Sequence, residues 1–213
     1  YGGYDAQTGW GQHIKTFKVT PDGTSIVEIG DLVHDTYYQT NCQVSLIRID
    51  VDTYAIAYYG YNQPTDNSWG GYIKTFTVNE GSITEVAKYK HYTSTVYDNS
   101  FIHVAGNTFA LAWADNGYDG NITTFTISND GATITEVASL EHDTNDGLHS
   151  SFEQLDSDTY VLAYSGSAAD GFIKTFTIAA DGATITQVAS LEHDEVYGVW
   201  NSLVRSNDNT FLL

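Results

Sequence analysis

"HIKTFKV" at residues 13–19 returns as "YIKTFTV" at 72–78, as "NITTFTI" at 121–127 and as "FIKTFTI" at 172–178. The aligned Phe17, Phe76, Phe125 and Phe176 stand 59, 49 and 51 residues apart. Self-similarity at such a period marks a stack of supersecondary units, each burying its apolar face against the next. Within the stretch, Ile, Thr and Val alternate with Lys and Thr at period two, which reads as a strand and not a helix.

Three further strand-like segments accompany each copy. "SLIRI", "SFIHV", "SFEQL" and "SLVRS" begin at Ser45, Ser100, Ser151 and Ser202; "TYAIAYY", "TFALAWA", "TYVLAYS" and "TFLL" follow them. After the "IKTFT" segment comes a fourth, such as "ATITEVASLEH". The turns between them are short. "DVDT", "AGNT", "DSDT" and "NDNT" separate the first from the second segment, and "PDG", "NEG", "NDG" and "ADG" the third from the fourth. Acidic or Asn residues before Gly make good hairpin turns, because Gly tolerates positive φ. The unit is a four-stranded antiparallel meander.

Four-stranded meanders repeated at about fifty residues are propeller blades, and the chain resembles the broad β-propeller superfamily over essentially its whole length. It carries neither a Trp-Asp dipeptide of the WD40 type nor a kelch Gly-Gly pair. Its similarity to calcium-loop propellers of the FG-GAP type is confined to "DNGYDG" at 115–120 and "AADG" at 168–171. The expected fold is therefore all-β, a propeller of four repeats at about 1–58, 59–112, 113–163 and 164–213. The last blade is completed by the N-terminal strands, as a closed four-bladed ring or as half of an eight-bladed assembly, so monomer or homodimer.

Composition agrees with this reading. Hydrophobic residues make up 41% and aromatics 14%, enough for a core, with two prolines and no methionine. The missing initiator Met suggests a processed product or an excerpt. A net charge of −19 with eight Lys and Arg disfavours nucleic acid and anionic membranes as partners. No apolar run approaches the ~20 residues of a membrane helix. Cys42 is the only cysteine, so no disulfide framework exists; it reads as a small, partly buried hydrophobe.

The loops between blades and the loops from the second to the third segment share one face of the disc, and the tight turns share the other. The first face carries Trp10, Tyr37, Tyr38, Tyr61, Trp69, Tyr97, Tyr118, His149, Tyr197 and Trp200 among Asn, Asp and Gly. Of these, Trp10, Trp69, Tyr61, Tyr118, Tyr197 and Trp200 are candidate ligand-binding residues, with Trp10 and Trp69 at matching positions before Phe17 and Phe76. Asp115, Asp119 and Asp170 are candidate calcium ligands. Near the axis, Arg48, His103, Gln154 and Arg205 share one register, where they either bind an anionic or polar ligand or bond backbone groups.

Repeated Ser45, Ser100, Ser151 and Ser202 suit close packing or a strand-end hydrogen bond better than four nucleophiles. Lys15, Lys74 and Lys174 are expected to be solvated or at blade edges. "SLEHD" at 139–143 and 190–194, with its echoes around His34 and His91, falls on the outermost strand, where His and Asp would fix the crossing loop through backbone bonds. These observations lead to the expectation of a non-enzymatic, extracellular or cell-surface binding or adhesion propeller recognising carbohydrate. A glycoside hydrolase or polysaccharide lyase, or an assembly module with protein partners, is the alternative.

Overall fold

The computed structural model describes residues 2–5, 9–37, 43–62 and 67–213, with side chains described from residue 11 onward except at 62. Tyr38, Cys42 and the side chain of Trp10 lie outside these residues. The chain is all-β. Three complete four-stranded antiparallel blades follow one another: β4 (Ser45–Arg48) to β5 (Thr53–Asn62), β6 (Ser68–Asn79) and β7 (Ser82–Tyr92); β8 (Tyr97–Ala105) to β9 (Thr108–Ala114), β10 (Gly120–Ile127) and β11 (Ile134–Asp143); and β12 (Leu148–Gln154) to β13 (Thr159–Ser165), β14 (Gly171–Ile178) and β15 (Ile185–Asp194). Strand order within each is the simple meander.

Two partial blades flank them. β1 (Gly2–Asp5), β2 (Gly9–Val19) and β3 (Ile26–Asp35) form the outer part of one, and β16 (Val204–Asn207) with β17 (Thr210–Leu212) the inner part of another. They remain separate sheets: among the described residues no strand pairing joins β17 to β1.

Consecutive blades are fastened by the repeated residues themselves. Ser45 Oγ accepts the amide of Phe101 at 2.9 Å, Ser100 Oγ that of Phe152 at 3.1 Å, and Ser151 Oγ that of Leu203 at 2.8 Å. Each bond crosses from one inner strand to the next, so the serines make the strand-end hydrogen bonds expected of them. A second fastening lies further out. Thr16 Oγ1 donates to the Gly81 carbonyl at 2.9 Å, Thr75 to Gly131 at 2.7 Å and Thr124 to Gly182 at 2.8 Å. The accepting glycines have φ of 95°, 72° and 75° and belong to the tight turns of the following blade.

The threonine is presented by an irregularity repeated in all four outer pairs. Pairing slips between Thr16 and Phe17, Thr75 and Phe76, Thr124 and Phe125, and Thr175 and Phe176. A β-bulge there turns the phenylalanine into the core between blades. Phe76, Phe125 and Phe176 are at most 1% exposed.

Because interior blades are covered on both faces, the lysine expectation is corrected. Lys74 and Lys174 are only 5% and 8% exposed. Lys74 Nζ donates to the His34 carbonyl and to Glu85 Oε2, and Lys174 Nζ donates to the His142 carbonyl at 2.5 Å. Each lysine thus catches the crossing segment of the preceding blade.

Candidate functional site

The inner strands meet around the axis, and their first ends share a backbone distortion. Asp98, His149 and Trp200 each lie two residues before a repeat serine and adopt φ of 52°, 56° and 60°. None is glycine, so each left-handed conformation costs on the order of 1–3 kcal/mol. Pairing slips at the same places, between Tyr97 and Ser100 and between Leu148 and Ser151. Three successive blades spend this strain at one level of the axis.

The three distorted residues touch in sequence. The His149 amide donates to Asp98 Oδ2 at 2.7 Å, and His149 Nδ1 lies 3.8 Å from the same oxygen. The imidazole of His149 then meets the Trp200 indole with centroids 4.2 Å apart. Asp98 is buried, whereas Trp200 is 70% exposed and presents a face to solvent. Asn99, beside Asp98, donates from Nδ2 to the Gln43 carbonyl and ties the row to the preceding blade. Asn99 Oδ1 and His149 Nδ1 are buried without a hydrogen-bond partner among the described residues.

The loops around this row carry aromatics and carboxylates. Tyr97 and Tyr118 pack at 5.3 Å, and Tyr118 is partly exposed; Tyr197 is exposed. Asp146 is held above the usual carboxylate range by burial first and then by the charges of Asp143 and Asp119. Burial alone would also raise Asp143, but hydrogen bonds from the Tyr164 hydroxyl and the Asn145 amide, with the Lys174 charge, keep it low. Asp194 is lowered by amides of Tyr197 and Val196. The face is electronegative and aromatic, which suits a cation.

The other sequence candidates lie elsewhere. Trp69 and Tyr61 join Tyr37 and Tyr59 in an aromatic cluster, with Trp69 at 5.0 Å from Tyr61, 5.8 Å from Tyr37 and stacked on Tyr59 at 5.4 Å. Arg48, His103 and Arg205 sit at the opposite ends of the inner strands. Each folds back on its own tight turn: Arg48 donates to the carbonyls of Asp50 and Val51, His103 Nε2 lies 2.9 Å from that of Gly106, and Arg205 donates to those of Asn207 and Asp208. Gln154 instead donates to the Tyr160 hydroxyl.

Asp115 Oδ1 accepts the amides of Gly117 and Asp119, and its Oδ2 accepts the Tyr92 hydroxyl. Asp170 closes the short 3₁₀ turn Ser167–Ala169, where its carbonyl accepts the Gly166 amide. Among the described residues no three His, Cys, Asp or Glu side chains gather as a metal site. Asp98 had no motif to announce it. Its signal was positional: aligning the chain on the repeat serines stacks Asp98, His149 and Trp200, three unlike residues in a column otherwise framed by repetition.

The His–Asp pairs divide their roles. Asp35 accepts the amides of Tyr37 and Tyr61, and Asp143 that of Asn145, fixing the crossing loops. The histidines do something else. His34 stands edge-on to Tyr58 and Phe76, His91 to Trp113 and Phe125, and His142 to Tyr164 and Phe176, always on the following blade. They are wedges between blades.

No family model and no curated protein matches the chain. Among solved structures, Sqt1 from Chaetomium thermophilum superposes with a TM-score of 0.53 at 16% identity, covering 79% of this chain and 40% of Sqt1. The fold is that of a β-propeller. A periplasmic gluconolactonase of Pseudomonas aeruginosa gives 0.49 at 12% identity, over 87% of this chain and 64% of that one. A structure titled as a putative 6-phosphogluconolactonase of Bacteroides fragilis gives 0.46 at 13%, over 86% and 65%. The chain spans about two fifths of Sqt1. These neighbours are Sqt1 and gluconolactonases, not carbohydrate-binding adhesins, and they overturn the expectation of a carbohydrate-adhesion propeller. The packing of Trp69 and Tyr61 among other rings agrees with that correction.

Proposed function

We propose that this chain is a peptide-binding propeller whose crossing-loop face receives a cationic segment of a protein partner. The observation that carries the reading is the contact row Asp98–His149–Trp200, built from three strained positions on successive blades. Strain held at one level by non-glycine residues signals a surface shaped for use. The exposed Trp200 ring, stiffened from behind by His149, offers a face for a lysine or arginine side chain. In the crossing loop that leads to His149, the charges of Asp143 and Asp119 bear on Asp146, and a cation relieves that repulsion. The net charge of −19 steers the same class of partner from a distance. Sqt1 itself has been crystallised bound to the N-terminus of ribosomal protein L10; the partner proposed here rests on this chain's own site.

The test is fluorescence anisotropy with a labelled Lys/Arg-rich peptide. Saturable binding that weakens with added salt is expected, reduced roughly tenfold by Trp200→Ala. Equal affinity for an Asp/Glu-rich peptide, or binding indifferent to Trp200→Ala, would contradict the reading.

A further inference from the structure

One blade departs from the others along its outermost strand. Where the repeated lysine register meets its cross-strand partner, the pairs are Lys15–Asp31, Lys74–Lys88, Thr123–Ser139 and Lys174–Ser190. Two steps further along the outermost strands stand Val33, Lys90, Glu141 and Glu192. Of the four pairs, only β6–β7 sets lysine opposite lysine, and the stretch "KYKHY" at 88–92 adds a third lysine beside them. Like charges directly opposite on neighbouring strands are destabilising. Three of the chain's eight Lys and Arg gather there, in a protein of net charge −19.

The ammonium groups converge over two tyrosines. Lys74 Nζ lies 5.8 Å from the Tyr58 ring centre, and Lys88 and Lys90 lie 5.8 and 5.5 Å from that of Tyr72. Beside them the end of β3 closes a polar cavity of about 230 Å³, whose walls include Lys74, Lys88, Glu85, Tyr61, Asp35 and His34. Its carboxylates are already engaged. Glu85 Oε2 accepts Lys74 Nζ at 2.9 Å, and Asp35 accepts the amides of Tyr37 and Tyr61, each at 2.9 Å. Burial lifts the Asp35 carboxyl above its usual range despite those bonds. His34 is buried in the wall, and its Nδ1 has no hydrogen-bond partner among the described residues. Polar walls, an unpartnered buried nitrogen and an opposed lysine pair mark a space shaped for a polar occupant.

We infer that this cavity binds a compact dianion of the phosphate type, held between Lys74 and Lys88 with Lys90 adding charge from the side. Such an ion turns the opposed lysines from a mutual repulsion into a pair of charge-assisted donors. The site offers ammonium point charges and no guanidinium fork. That suits a tetrahedral oxyanion, which takes donors from many directions, better than a planar carboxylate, which favours two parallel bonds. It stands on β6 and β7, not on the inner strands that carry Asp98 and His149, so it is independent of the peptide reading.

Isothermal titration calorimetry with inorganic phosphate, at an ionic strength held constant by chloride, tests the site. Saturable binding is expected. Lys88→Ser installs the residue found at this register as Ser139 and Ser190, so the fold should persist by circular dichroism. It should weaken phosphate binding roughly tenfold or more. Lys18→Gln, at an exposed side chain of β2, should leave the affinity unchanged. Phosphate should also raise the unfolding midpoint of the wild-type chain and not that of Lys88→Ser. No phosphate isotherm with the wild-type chain, or binding indifferent to Lys88→Ser, would overturn the proposal. Acetate bound as tightly as phosphate would overturn the assignment of a tetrahedral dianion.

Discussion

The imidazole of His142 stands edge-on to the phenol of Tyr164 on the following blade, their centroids 4.9 Å apart. Placed this way, the histidine is a neutral wedge. Burial, with the neighbouring Lys174 charge, pushes it down to about 3; burial does the same for His91, and burial with Lys74 for His34. The sign follows from linkage. The folded state refuses a proton that the unfolded chain takes up near the ordinary value of 6.5. Stability is therefore full above that value and lost as the pH falls from it towards 3, by up to about 1.4 kcal/mol per pH unit for each histidine.

Urea denaturation between pH 7 and 5 should show a steeply falling midpoint. His142→Gln, less stable at neutral pH, should show a shallower fall, since one proton acceptor of the unfolded state is gone. An unchanged slope would contradict the wedge.

The threonine fastening makes a separate prediction. Thr124 Oγ1 donates to Gly182 across the blade boundary and accepts the Ala138 amide within its own blade. Thr124→Val keeps the volume and leaves both groups unpaired in a dry place, costing about 1–3 kcal/mol. Chemical denaturation of the variant measures it.

Residues at one motif position should differ in cost according to their neighbours. Phe76→Ala empties a filled interface and should cost about 3–5 kcal/mol. Phe17→Ala, at the same register but half exposed, should cost under about 1 kcal/mol.

Trp200→Ala should leave the unfolding midpoint within about 0.5 kcal/mol of the parent, because the ring is mostly in solvent. A large loss of stability would mean the indole is a structural prop and not a surface for a partner.

Much of the architecture was legible because repetition exposes it. The "IKTFT" copies, the aligned serines and the turns before glycine each mark an element that the structure contains at the stated place. The arginines near the axis were legible only as two alternatives, and their distances to turn carbonyls put them on their own hairpins. Lys74 and Lys174 were misread for a physical reason. Period-two patterning presumes one wet face, whereas an interior blade has none, and a lysine there is satisfied by a carbonyl of the blade before it. The candidate site was least legible. Left-handed backbone at Asp98, His149 and Trp200 carries no composition signal, since none of the three is glycine.

The central claim is that the partner sits on the crossing-loop end of the inner strands. Hydrogen–deuterium exchange of the chain, free and saturated with a Lys/Arg-rich peptide, tests it most directly. Protection confined to residues 97–100, 118–120, 145–150 and 196–201 is the predicted result. Protection instead at 48–53, 103–108 and 205–210, where Arg48, His103 and Arg205 cap the tight turns, would place the partner at the wrong end of the axis and contradict the account.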